Sequence, residues 1–197
     1  MNLGLTTSFI IGGLLMIMIL VLNIRMGQHS SELTLHGMSQ VSMESVYEVL
    51  ENDFKKIGYD SLAIPDPIIR ADSNIIEFRS NLYDEAMGTW RTITWELTDE
   101  EPENTKNPGH RILLRDVDGD ETEITLGVTR FRLNYYTQTG LAPMSFPISG
   151  SALGDIARIE VIIETQPREG LPRRGGGTYF PTSTWRKVIV PGNINLN

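Results

Sequence analysis

The chain has 197 residues, 25 acidic against 17 basic, a net charge of −8 and no cysteine. That balance excludes the basic face of a nucleic-acid binder. The missing thiols exclude disulfides, thiolate catalysis and cysteine-ligated zinc. Setting aside an apolar N-terminus leaves about 140 residues, the size of one globular domain and enough for a core without cross-links.

Residues 3–24 carry no charge, and residues 9–22 are apolar apart from Gly12 and Gly13. About 20 such residues, rising ~1.5 Å each, cross a ~30 Å hydrocarbon core. A cleaved signal peptide has a basic start and a small-residue exit. Here nothing basic precedes Arg25, and Asn23-Ile24-Arg25-Met26 is a poor exit. The segment therefore reads as a membrane anchor or the core helix of a filament. Arg25 lies on its distal side, so positive charge does not fix its orientation.

Beyond it, Met38, Val41, Val46, Val49, Leu50, Phe54 and Ile57 recur at helical spacing, with Glu44, Glu48, Glu51, Asp53 and Lys56 between them. Gly58 sits where a helix-terminating residue belongs, after Lys55 and Lys56. The pattern predicts one helix of roughly 50 residues. Residues 1–27 form its apolar half, residues 28–58 its amphipathic half, and residues 59–197 a β-rich head.

The helical period stops at Tyr59. Residues 61–74, with Pro65-Asp66-Pro67 and Asp72-Ser73-Asn74, read as a connection. Period-two runs follow at residues 75–78, 90–97, 111–115, 121–126, 128–136, 156–164 and 185–190, and Asp118-Gly119 marks a hairpin. No second helical pattern occurs. The predicted fold is α+β: an antiparallel meander covered on one face by the C-terminal half of the long helix, the apolar half protruding.

This layout resembles the type IV pilin superfamily, most closely the J-type minor pseudopilins of type II secretion and the W-type minor pilins. Three stretches carry the likeness across most of the chain: the helix end Glu51-Asn52-Asp53-Phe54-Lys55-Lys56-Ile57-Gly58-Tyr59, residues 113–136, and the closing run Trp185-Arg186-Lys187-Val188-Ile189-Val190. The resemblance implies a structural subunit that is held in the inner membrane, then packs its apolar helix into a periplasmic or extracellular filament beside other pilin-like subunits. It also implies processing after a glycine, for which Gly4 and Leu5 are the candidate pair. The N-terminus departs from the pattern: no basic leader precedes Gly4, and Phe9 stands where the family usually has glutamate. Gly12, Gly13 and Gly27 are candidate positions for close helix packing. The alternative is an envelope protein anchored by one span whose head binds a ligand without polymerising.

Asp116, Asp118 and Asp120 alternate around the tight turn and form a candidate calcium site, since hard cations take six to eight oxygens. The spacing is not that of an EF-hand, and a solvated acidic hairpin explains it as well. Arg173-Arg174-Gly175-Gly176-Gly177 precedes Tyr179-Phe180-Pro181 rather than a helix, so it reads as an exposed loop and not a phosphate cradle. His29, His36 and His110 form no ligand set, and no nucleophile–base pattern stands out, so no enzyme is expected. Glu96, Asp99, Glu100, Glu101 and Glu103 gather in one loop, while Arg168, Arg173, Arg174, Arg186 and Lys187 lie near the C-terminus. Such segregation either orients neighbouring subunits or is an ordinary solvated surface.

Overall fold

The computed structural model describes residues 3–59, 66–83, 85–86, 89–173 and 175–194. Most of the connection expected before Asp66 therefore lies outside the described residues, as do Arg174 and the side chains of Leu5, His29, His36, Met38 and Val41.

The fold is α+β. One helix, α1, runs unbroken over Leu3–Lys55, 53 residues or about 80 Å. The turn that ends it holds Gly58 at φ 72°, and the Gly58 N–H donates to the Arg79 carbonyl at 2.9 Å. A Cβ on Gly58 would come within 3.1 Å of the Asn193 carbonyl oxygen and 3.2 Å of Pro67, so both backbone conformation and space call for glycine.

The head is built from two main sheets rather than the single meander expected. Five antiparallel strands follow in chain order: β1 (Ile68–Ala71), β2 (Ile75–Ser80), β3 (Arg91–Leu97), β4 (Leu113–Val117) and β5 (Asp120–Ile124). A separate three-stranded antiparallel sheet contains β6 (Val128–Tyr136), β7 (Arg158–Thr165) and β10 (Ser183–Ile189), with β7 central. β8 (Leu171–Pro172) and β9 (Thr178–Tyr179) form a small ribbon, and Gly150–Leu153 is one 3-10 turn. β1 falls inside the stretch expected to be connection. Its Ile-Ile-Arg-Ala run is too short for a clear period and is hidden among turn residues.

The two sheets meet at the β1–β2 turn. The Leu133 N–H donates to the Ser73 carbonyl at 2.8 Å, and the Tyr135 hydroxyl donates to the Asp72 carbonyl at 3.1 Å. Ala71 also forms a β-bridge to Ile148.

The last turns of α1 touch both sheets. Val46, Leu50, Phe54 and Ile57 are buried, and full burial of side chains this size contributes about 1.5–3 kcal/mol each. Phe54 meets Phe78 of β2 edge to face at 5.8 Å, while Tyr47 stacks on Trp185 of β10 at 4.1 Å. Glu51 bridges Lys55 on its own helix and Lys187 on β10, each at 2.6 Å. By contrast, every residue from Thr6 to Gly27 is exposed.

Removing residues 1–27 is expected to leave a soluble head that melts cooperatively, because the covering stripe remains. Removing residues 1–58 uncovers both sheets and is expected to cause aggregation. Equal solubility and equal melting cooperativity of the two fragments would contradict the arrangement.

Candidate functional site

A buried polar trio sits where α1 meets the five-stranded sheet. Val46, Leu50, Asp53 and Ile57 recur at steps of four, three and four, so Asp53 falls within the apolar stripe. It is 1 % exposed, whereas Val49 is 44 % exposed. This corrects the expectation that Asp53 lies on the wet face and Val49 on the buried one.

The partners of Asp53 come from the sheet. Trp95 lies on the inner face of β3, and its Nε1–H donates to Asp53 Oδ2 at 3.0 Å. Arg115, directly opposite Trp95 on β4, donates from Nε to Oδ2 at 2.7 Å and from Nη2 to Oδ1 at 3.3 Å. Three of the carboxylate's roughly four acceptor positions are thus occupied. Such an arrangement clamps the helix to the sheet.

A shallow groove of about 420 Å³ opens beside it, lined by Glu48, Val49, Asn52, Leu82 and Tyr83 along with Asp53 and Arg115. The sequence carries part of the signal for the trio. A buried indole N–H needs an acceptor, and Trp95 and Asp53 both fall on apolar stripes.

The aspartate hairpin forms as its signal predicts. Asp118 and Gly119 take φ of 53° and 91° between β4 and β5, the positive values a two-residue hairpin turn requires. The carboxylates have local partners. Asp116 Oδ1 accepts the Gly119 N–H at 2.7 Å. Asp118 accepts the Thr92 N–H at 2.8 Å and pairs with Arg91 at 3.3 Å. Asp120 is exposed at the start of β5. Among the described residues no three His, Asp or Glu side chains converge as a metal site would require.

The glycine-rich segment is the connection of the β8–β9 ribbon, and the Arg173 N–H donates to the Gly177 carbonyl at 3.0 Å. Its described residues, Arg173 and Gly175 to Gly177, are exposed, as expected of a loop. Gly4, Leu5, Gly12, Gly13 and Gly27 all lie within α1. A Cβ placed on any of these four glycines meets nothing beyond the helix's own backbone within 4 Å.

His110 is fully buried, away from any ligand set. Its Nε2 lies 3.0 Å from the Gln166 carbonyl, which can only accept, so Nε2 carries the proton. The neutral Nδ1 then accepts the Thr105 hydroxyl at 2.7 Å. Together with Asn107, which reaches Gln166 and Pro167, this ties the β3–β4 loop to the end of β7.

A second buried carboxylate, Glu160 on β7, accepts from Arg186 Nε at 2.6 Å, Asn134 Nδ2 at 2.8 Å and the Tyr136 hydroxyl at 3.2 Å. Burial alone would push its carboxyl up, but these donors outweigh it and hold the group below the usual carboxylate range.

No protein-family profile, curated protein or solved structure matches the chain.

Burial pushes the His110 imidazole below its ordinary value of 6.5; the Gln166 hydrogen bond opposes this and the Arg168 charge adds to it. The unfolded chain therefore binds the proton more readily, and stability falls as pH drops below about 6.5 toward the folded value. The wild type is expected to lose more melting temperature than His110→Gln between about pH 7 and about pH 5. Parallel melting curves for the two proteins across that window would show that His110 is not held neutral.

Proposed function

We propose that the chain is a pilin-like structural subunit of a type IV pilus-like filament or secretion pseudopilus. In this reading α1 is stored in the inner membrane, then packs against the same helix of neighbouring subunits, with the head outside. One observation carries it. The 22-residue span Thr6–Gly27, with a mean hydropathy of 2.4 and none of it buried, continues without a break into the helix that forms part of the head's core. A simple tether needs no such continuity, since a flexible linker would hold a head at the surface equally well. A subunit whose stem must set the position of its head needs a stiff junction. The polar clamp at Asp53 and the contacts to both sheets provide one.

The trio and the aspartate hairpin fit structural roles in this reading, and no catalytic step is assigned. The bare helix is then one part of the subunit that contacts other subunits. Lipid offers no hydrophobic drive for helices to associate, so close backbone approach at small residues has to supply it. A Cβ added at Gly12 or Gly13 meets nothing beyond the helix's own backbone within 4 Å in the single subunit. Larger side chains there leave the subunit itself undisturbed and act only on its neighbours.

The double variant Gly12→Leu/Gly13→Leu is expected to insert into membranes as well as the wild type while forming severalfold fewer filaments. Membrane fractionation and electron microscopy of sheared surface material read the two outcomes separately. Normal filament yield from the variant would contradict packing at these glycines. A wild type that never forms polymer would overturn the filament reading in favour of the anchored binding module.

A further inference from the structure

The two main sheets each leave one face uncovered, and those faces carry opposite charge. On the five-stranded sheet, Ile76, Phe78, Ile93 and Trp95 point to the core, so the alternate residues form the outer face. One cross-strand row there reads Arg70, Glu77, Thr94, Asp116, Glu121, and the next contains Glu96, Leu114 and Glu123. Asp116 and Glu121 stand directly opposite each other, a like-charge pairing that costs stability when nothing neutralises it. Glu77, Glu96, Glu121 and Glu123 make no ion pair with any described residue.

On the three-stranded sheet, Phe131, Leu133, Val161 and Ile163 point inward. Its outer rows place Arg132 and Arg186 on either side of Ile162, with Arg130 beside Glu164 in the row below. Arg186 and Arg130 are paired with Glu160 and Glu164 at 2.6 and 3.0 Å. Arg158 lies over the Tyr136 ring at 5.4 Å. Arg132 is exposed and has no ion pair with any described residue. The face is an arginine-rich surface with two of its cations already balanced internally.

We propose that these faces dock on each other between neighbouring copies of this chain, the acidic outer face of β2–β5 on the basic outer face of β6, β7 and β10. The occupant is a second copy because each subunit carries both halves of a complementary pair. A contact between two different patches of the same chain does not close on a two-fold axis. It repeats from copy to copy. The inference rests on the filament reading and specifies which surfaces of the heads meet in it.

The native chain has no cysteine, so single introduced thiols report without background. Full-length Glu121→Cys and Arg132→Cys chains, co-expressed and treated with a short bis-maleimide, are expected to give a mixed cross-link. Each variant alone should give severalfold less, and the mixed product should fall as salt rises from about 0.05 to about 0.5 M. Arg132→Glu and Glu121→Arg should each reduce sedimentable polymer, and a chain carrying both reversals should restore it. Polymers that form normally in both single reversals, with no mixed cross-link, would overturn the proposed contact and leave the filament reading intact. Loss in both single variants without rescue in the double would also overturn it. Absence of polymer from the wild type itself would instead remove the filament reading on which the contact rests.

Discussion

A carboxylate removed from water must be matched by donors, and that constraint fixes how the long helix meets the head. Asp53 has almost no exposure and takes its donors from two neighbouring strands, Trp95 on β3 and Arg115 on β4. Apolar contacts would allow α1 to slide or turn on the sheet at small cost, because burial is not directional. A forked guanidinium and an indole N–H aimed at one carboxylate are directional. The rotation of α1 about its axis and its register along the sheet are therefore set together.

From that junction the other contacts follow in order. With Asp53 and Phe54 held against the five-stranded sheet, Tyr47 and Glu51 reach Trp185 and Lys187 on β10. The helix thus closes over two sheets that also meet each other at the β1–β2 turn, where Leu133 bonds to Ser73, and through the β3–β4 loop, where Arg111 bonds to Val128. The same helix continues into the apolar span, so the orientation of the head is carried along about 80 Å of stem. For a subunit whose stem packs among other stems, this continuity converts the position of a helix into the position of a surface.

Much of the fold was legible in the sequence because its elements are strongly periodic. All seven expected β runs and the long helix fall where alternation and helical spacing place them, and Asp118-Gly119 forms the expected turn. The division into two sheets was not legible, since strand order depends on contacts distant in sequence, such as Leu133 with Ser73. β1 was lost because four residues between turn-forming neighbours carry too little period. The candidate site was half legible. The apolar stripe is legible from its helical spacing, but nothing local in sequence marks the Asp53 charge as buried. A charged residue is buried only when partners are supplied, and those partners lie 42 and 62 residues further on.

The most direct test is a double-mutant cycle on Asp53 and Arg115 in the full chain, read by chemical denaturation of the head in mild detergent. Removing one member of a buried pair strands the other, so Asp53→Ala is expected to cost about 3–5 kcal/mol. Replacing both, as in Asp53→Leu/Arg115→Met, should recover most of that loss, because neither charge is then left alone. Single substitutions that each cost less than about 1 kcal/mol and simply add in the double variant would contradict the account. The helix would then be seated by apolar contact alone.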